Sequence, residues 1–325
     1  MRHFSCYFLL ALLVFSSFGE RTFALSWKVS FGSGRAQVGY YNSSLNPKIE
    51  EASSLGPMAF RIHSGDAWIA DSIGGKIVCL DSDGKPRHTV IVPNLPDNTL
   101  LEDFALVPGK DGKVSKILVA DGADLFVRAI KVPEGNELFR VGGPGEGPGH
   151  FLQIHQIEVS ASGRFYVGDY GRRVISVFDE TGKFLKEFPW ERNGFSVTGD
   201  DLLSTLSFNE ATGYVWRSFN SKGQLESSVH LGFVNFQNPR LWANEQGGGI
   251  LVSFVPPGGF RGTLDVVRFS KHGGVEARTK IRPPQAMNRF IDRQDSSHFW
   301  LAQANFDAAP KGAFNVFSII LRRPR

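Results

Sequence analysis

The stretch GPGHFLQIHQIEVSASGRFYVGDYGRRVISVFDETGK, residues 147–183, alternates short apolar runs with turns of glycine and polar residues. The runs fall at 154–159, 165–169 and 174–178 and are rich in β-branched and aromatic residues. Runs of this kind, bounded by such turns, predict β-strands. The run over 174–178 is apolar almost throughout, which indicates a strand that is covered on both faces of its sheet.

The same pattern recurs along the chain. Apolar runs end in an aspartate at Asp71, Asp121 and Asp169, at steps of 50 and 48 residues. Turn glycines follow apolar runs at 84, 135, 182, 223 and 273, at steps of 51, 47, 41 and 50. A period in this range, made of strands and without helical periodicity, predicts a β-propeller.

Six units can be placed between residue 57 and the end of the chain. Their first strands are predicted near 58–62, 102–107, 154–159, 195–198, 240–244 and 287–292. The last unit has further strands near 298–303 and 314–321 but lacks a fourth one. We therefore predict that the strand-like segment 26–31 pairs with 314–321 and closes the ring. The predicted fold is an all-β, six-bladed propeller of four-stranded antiparallel blades, closed by this N-terminal strand.

Residues 145–188 resemble one full repeat of the NHL type, and the lead-in at 147–151 is similar to repeats of bacterial six-bladed β-propellers. The resemblance extends to 56–92. It implies that ligands bind on one face, which is formed by the crossings from outer to inner strands and the loops after each second strand. In this chain that face would carry 71–75, 121–124, 142–153, 169–173, 256–262 and 305–311.

Two clusters on that face are candidate binding residues. Tyr170, Arg172 and Arg173 form the first, and Phe260 and Arg261 form the second, because arginine beside an aromatic residue is common at binding hot spots. The simpler alternative is ordinary solvated loops, since arginine is frequent on protein surfaces.

The channel offers a different interpretation, with His155 as the best metal-ligand candidate because it lies on an inner strand. Asp71, Asp121 and Asp169 would join it as ligands of Ca or Zn. The competing interpretation is structural: each aspartate ends a strand and accepts backbone N–H groups of the following turn. The shared repeat position of the three aspartates favours this second interpretation.

Catalytic spacing signatures are missing from the sequence. It contains neither His-Glu-x-x-His nor Gly-x-Ser-x-Gly, and the glycine run at 142–149 lacks the Gly-Lys-Ser/Thr ending of a phosphate loop. The sequence therefore favours a non-enzymatic binding or scaffold propeller without a cofactor, which presents one face to a protein or a small ligand. The alternative is a metal-dependent hydrolase or lyase with its site in the central channel.

The N-terminus has the layout of a signal peptide. Arg2 precedes an apolar run over 7–15, and small and polar residues follow up to Ala24. The run is too short to span a bilayer, although a retained interfacial anchor is an alternative. We predict cleavage after Ala24, with Gly19 as the second choice. The mature chain would then be one propeller domain over 25–325, exported to the periplasm or the outside.

Net charge and cysteine content limit the kinds of partner and the disulfides that are expected. The net charge is +4, and the densest basic cluster is the tail at 322–325, so no nucleic-acid partner is expected. Of the two cysteines, Cys6 lies in the signal segment, which leaves Cys79 without an internal disulfide partner. An exported domain of this kind must be stabilised by its core.

Overall fold

The computed structural model describes residues 21–45, 53–96, 99–199, 201–232, 236–244, 248–256, 263–282, 287–293 and 298–321; for 21–23 only the backbone is described. Regular structure in these ranges is strand, apart from one 3-10 turn at Phe306–Ala308. No helix in this part of the chain is long and apolar enough to cross a bilayer.

In the described residues, 24 strands form six antiparallel sheets of four strands, the blades. Blade 1 contains β2 (Ala59–His63), β3 (Asp66–Asp71), β4 (Lys76–Leu80) and β5 (Pro86–Ile91). Blade 2 contains β6 (Leu101–Pro108), β7 (Val114–Asp121), β8 (Phe126–Lys131) and β9 (Glu137–Gly142). Blade 3 contains β10 (Ile154–Val159), β11 (Phe165–Asp169), β12 (Val174–Phe178) and β13 (Phe184–Pro189).

Blade 4 contains β14 (Phe195–Thr198), β15 (Leu202–Asn209), β16 (Gly213–Phe219) and β17 (Leu225–His230). Blade 5 contains β18 (Gln237–Ala243), β19 (Ile250–Val255), β20 (Leu264–Phe269) and β21 (Val275–Ile281). Blade 6 contains β22 (Ile291–Arg293), β23 (His298–Gln303), β24 (Ala313–Leu321) and β1 (Arg21–Ser30). The predicted six-bladed, all-β propeller is confirmed.

The predicted inner strands lie where the sequence pattern put them, and those at 154–159 and 195–198 have the predicted ends. The inner strand of blade 6 is shorter than predicted and begins at Ile291 instead of 287. The reason is that the backbone N–H groups of Asn288 and Arg289 both donate to the carbonyl of Met58, at 2.9 and 2.8 Å. These two residues therefore join blade 6 to blade 1.

The closing strand is confirmed. β1 runs antiparallel to β24, with Trp27 opposite Val316 and Val29 opposite Phe314. It is longer than predicted, because the pairing starts at Arg21, opposite Leu321. The predicted cut after Ala24 would thus fall inside the strand, whereas a cut after Gly19 would leave the strand whole.

The turn between the third and fourth strands of a blade is formed by a side-chain acceptor and a glycine with positive φ. In blade 3, Asp179 Oδ1 accepts the backbone N–H groups of Thr181 and Lys183, at 2.9 and 3.0 Å. Gly182 completes this turn with φ of +93°, a conformation that L side chains rarely adopt. A Cβ at this position would also lie 2.9 Å from the ring of Phe139 in blade 2. The turn therefore explains the periodic glycine.

The core lies between neighbouring blades. Leu118 and Val127 of blade 2 pack in one cluster with Ile157 and Phe165 of blade 3, and all four are fully buried. This arrangement covers both faces of each sheet and explains the nearly continuous apolar strands. Cys79 is free and fully buried in the cluster between blades 1 and 2, where burial raises its pKa to about 12.

The six inner strands surround the central channel. We call the end where they begin, next to the crossings from outer strands, the crossing face. Their other ends lie on the opposite face, next to the turns into the second strands.

Candidate functional site

A charged cluster crosses the middle of the channel; we call Arg61, Asp103, Glu158 and Arg289 the waist network. Arg289 binds Asp103 through Nε at 3.1 Å and Nη2 at 3.2 Å, and it also binds Glu158 at 2.5 Å. Arg61 donates to the carbonyls of Phe104 and Ile157, at 2.9 and 2.6 Å. The network thus ties together blades 1, 2, 3 and 6.

Charge within the waist network is balanced. Burial opposes ionisation of Asp103, but the guanidiniums of Arg289 and Arg61 outweigh it and hold the pKa of Asp103 below its usual value. Burial acts against the charge of Arg289 as well, yet Asp103 and Glu158 raise the pKa of Arg289. Two cations therefore face two anions, each stabilised by the other.

A cavity opens above this network at the crossing face, with a volume of about 290 Å³. We call it the channel-mouth cavity. It lies at the starting ends of β10, β14 and β18, so blades 3, 4 and 5 all contribute to it. Its lining residues are Gln153, His155, Gln156, Tyr170, Arg192, Gly194, Asn238, Pro239 and Arg240. A void of only about 20 Å³ lies between this cavity and the waist.

Aromatic rings form one wall of the channel-mouth cavity. The ring centroids of His155 and Tyr170 are 5.4 Å apart, and Trp190 packs edge-on to Tyr170 at 6.1 Å. Arg192 lies over the Tyr170 ring at 4.3 Å and donates its Nε–H to the Tyr170 carbonyl at 2.7 Å. Stacking and hydrogen bonding together fix the position of this arginine.

Arg240 also lines the cavity. Its Nη1 donates to Asn288 Oδ1 at 3.1 Å, and its guanidinium lies 5.3 Å from the Phe290 ring centroid. Burial, and then the positive charge of Arg289, lower the pKa of Arg240 to about 10. The side chain is therefore charged at neutral pH but in an unfavourable environment.

His155 is uncharged at neutral pH. Burial lowers its pKa to about 4, and the charge of Arg240 acts in the same direction. The ring therefore presents a neutral face to the cavity, beside the guanidiniums of Arg192 and Arg240.

A second, larger cavity of about 460 Å³ lies at the opposite face, between the final residues of all six inner strands. Its charged lining residues are Arg61, Arg289, Arg293, Glu158 and Asp292. These groups mostly bind protein partners. Asp292 accepts the backbone N–H of Ile62 at 2.5 Å, Arg293 donates to the carbonyl of Trp242, and the other three belong to the waist network. Their charges are thus largely used within the fold.

The three residues of the predicted binding cluster around Tyr170 lie in different environments in the structure. Tyr170 lines the channel-mouth cavity, but Arg172 binds Glu187 at 2.7 and 3.0 Å and the carbonyl of His150 at 2.9 Å. Arg173 is exposed on the rim of the crossing face. The second predicted cluster, Phe260 and Arg261, lies outside the described residues.

The three repeat aspartates are fully buried and lie in separate blades. Asp169 accepts four backbone N–H groups, two from the crossing at 152–153 and two from the turn at 171–172. Asp121 binds Arg128 at 2.9 Å, and Asp71 accepts the N–H groups of residues 39 and 74. Within the described ranges, no three His, Cys, Asp or Glu side chains are grouped closely enough to hold a metal ion. The structure thus brings His155 into the cavity without these aspartates.

Arg192 and Arg240 are the charged cavity residues that the sequence analysis missed. Arg192 lies in the crossing at 190–194, and the predicted face covers the crossing at 142–153 but not this one. Arg240 lies in an inner strand that begins three residues earlier than predicted, at Gln237. The rule that outer-to-inner crossings contribute to the binding face, applied to every blade, would have selected Arg192 but not Arg240, which lies within an inner strand.

Comparison with known proteins gives similarity in structure only. No family model matches the chain, and no curated protein matches it in sequence. A PQQ-bound aldose sugar dehydrogenase from Streptomyces coelicolor is 12% identical with a TM-score of 0.54, covering 94% of this chain and 99% of that one. The calcium-binding protein regucalcin from Agrobacterium tumefaciens is 14% identical with a TM-score of 0.51, covering 83% and 93%.

Virginiamycin B lyase from Staphylococcus aureus is 13% identical with a TM-score of 0.50, covering 82% of this chain and 95% of that one. At such identities the similarity concerns the fold alone. The chain is a six-bladed β-propeller.

Proposed function

We propose that the chain is an exported, non-enzymatic binding propeller that takes its ligand at the channel-mouth cavity. The observation that carries this proposal is the position of the cavity on the crossing face, with side chains from three blades converging on it. Concave sites with a few convergent polar groups are the usual form of ligand pockets.

The walls are suited to binding. Tyr170 and His155 offer ring faces, Gln153 and Asn238 offer amide groups, and Arg192 is held in place by Tyr170. Positioning of polar groups before the ligand arrives reduces the cost of ordering them on binding. The rim of the same face, with Arg173, Phe260 and Arg261, is the surface that we propose for a protein partner.

The proposal also includes export of the chain and assignment of its repeats to the NHL type. The basic start, short apolar run and small residue at Ala24 support a signal peptide and a periplasmic or extracellular location. The lead-in at 147–151 and the strand-end aspartates support repeats of the NHL type. Proteins of similar fold include a calcium-binding protein and two enzymes by their descriptions, so fold similarity does not choose between binding and catalysis.

The metal-dependent alternative stays a prediction with its own measurement. Metal analysis of the purified protein would support it if stoichiometric Ca or Zn were present and were lost in His155→Ala. The carboxylate of Asp169 already accepts backbone N–H groups, and this arrangement does not favour Asp169 as a metal ligand.

A variant whose cavity is blocked by a larger side chain tests the proposed site. Gln153 is exposed and lines the cavity, so Gln153→Trp should fill its mouth, whereas the exposed neighbour Leu152 does not line it. Thermal-shift screening would use a panel of sugars, amino acids, organic acids and phosphate esters. We expect at least one compound to raise the Tm of wild type and of Leu152→Trp but not of Gln153→Trp. If Gln153→Trp responds like wild type, or no compound acts on wild type, the proposed site is wrong.

A further inference from the structure

The channel-mouth cavity carries a surplus of positive charge. Within the described residues its lining includes Arg192 and Arg240 but no aspartate or glutamate. The waist network below it, by contrast, matches two guanidiniums with two carboxylates. The walls of the cavity therefore do not supply the negative charge that its two arginines would favour.

Arg240 is the less favourably placed of the two cations. Burial removes part of its hydration and the charge of Arg289 opposes its own, and the attraction of Asp103 offsets these two effects only in part. A cation that has lost water and lies near another cation gains more from a bound anion than an exposed cation does. An anion in this cavity would therefore stabilise a charge that the fold alone leaves poorly compensated.

With respect to the described residues, both guanidiniums have hydrogen-bond donors left for a ligand. A guanidinium has five N–H donors in a planar fork. Arg240 gives one to Asn288, and Arg192 gives its Nε–H to the Tyr170 carbonyl. The fork geometry matches the paired oxygens of a carboxylate or a phosphate better than any neutral group.

The volume of the cavity limits the size of the ligand, and the other lining residues indicate the chemistry of its uncharged part. A volume of about 290 Å³ lies at the lower end of the range for small-molecule pockets. The ring faces of His155 and Tyr170 and the amides of Gln153 and Asn238 are neutral groups, which suit the uncharged part of a small molecule.

We propose that the channel-mouth cavity binds a small oxyanion, a carboxylate or phosphate group held between Arg192 and Arg240. This inference rests on the proposed function, since it assigns a ligand class to the same cavity.

Calorimetric titration with succinate and, separately, with inorganic phosphate tests the proposal. Ionic strength is held constant with NaCl, because salt screens exposed charges. We expect wild type to bind at least one of the two anions at concentrations up to about 10 mM, a range that detects millimolar affinity. Arg192→Gln and Arg240→Gln should each weaken binding about tenfold or more, since each removes a charge-assisted hydrogen bond. Binding of one anion and not the other identifies the group as carboxylate or phosphate.

The controls separate charge from folding. Arg217→Gln removes an exposed guanidinium from the third strand of blade 4 and should bind like wild type. Asn238→Asp places a carboxylate in the cavity with almost no change in shape; Asn238 has φ of +50°, which aspartate also tolerates. It should weaken anion binding as strongly as the arginine variants, while its Tm should not fall below that of wild type because the new carboxylate also compensates the arginines.

Two outcomes overturn the proposal. The first is that wild type binds neither anion. The second is that the two arginine variants and Asn238→Asp all bind like wild type. The proposed function fails separately: if a neutral compound binds wild type but not Gln153→Trp, and the arginine variants keep that binding, the cavity is a ligand site but not for oxyanions.

Discussion

The strand-end aspartates show how one residue type holds a blade together. Asp169 joins the loop that follows its own strand to the crossing that precedes its blade, through four backbone N–H groups. A buried carboxylate is tolerated when hydrogen bonds or a cation compensate its charge, as Arg128 does for Asp121. The strand-end aspartates therefore hold loops in place, and the proposed ligand contacts are made by residues beside them, such as Tyr170.

His155 should make stability depend on pH. Its folded pKa of about 4 is below the unfolded value of 6.5. Between these values the unfolded chain binds a proton that the folded chain does not, so stability is lost as the pH falls through this window. We expect the loss to be at most about 3 kcal/mol for a shift of this size.

Urea unfolding between pH 7 and pH 4.5 measures this effect. The free energy of unfolding should fall more steeply with decreasing pH for wild type than for His155→Gln. His272→Gln, at an exposed turn position, is the matched control and should follow wild type. Equal pH dependence for wild type and His155→Gln would contradict the prediction.

At the scale of elements, β1 is the piece that makes the ring continuous. Its Trp27 is 6% exposed, packs against Trp300 with centroids 6.4 Å apart, and donates its indole N–H to the Asp81 carbonyl at 2.7 Å. Trp300 belongs to blade 6, whereas Asp81 belongs to blade 1. The closing strand therefore fastens the last blade to the first one and also completes the last sheet.

Trp27→Ala should weaken this closure strongly. Loss of a buried tryptophan costs about 3–5 kcal/mol through lost burial and a new cavity. The exposed neighbour in the same strand, Lys28→Ala, should cost less than about 0.5 kcal/mol. Urea unfolding of the two variants checks the difference, and similar losses for both would show that β1 does not depend on its buried face.

The sequence predicted the elements well because their signals are local. The turn at 179–183 is set by one aspartate and one glycine that are three residues apart, and such patterns are visible in any single repeat. The cavity could not be predicted in this way, because Arg192 and Arg240 come from different blades. Only the packing of blades around the channel brings them to one cavity, and no local pattern records that contact.

The molecule as a whole is held at its centre by charges that are far apart in sequence. Asp103 of blade 2 binds Arg289 of blade 6 across a separation of 186 residues, and it also accepts the backbone N–H of Ile157 in blade 3. Arg61 of blade 1 lies 3.6 Å from the same carboxylate. Opening of the ring between any of these blades would separate buried charges, so the network opposes partial opening.

Asp103→Asn tests this role because it removes the charge and keeps the shape. Arg61 and Arg289 would then keep Glu158 as their ion-pair partner and Asp292 as a more distant carboxylate, which leaves their buried positive charge less well compensated. Breaking a buried pair in this way costs about 3–5 kcal/mol. The matched control is Asp66→Asn, whose partner Arg87 has a side chain 53% exposed; loss of a surface pair of this kind costs at most about 1 kcal/mol. Urea unfolding measures both losses. If Asp103→Asn cost no more than Asp66→Asn, the blades would be held by their apolar contacts alone, and the waist network would not contribute to ring closure.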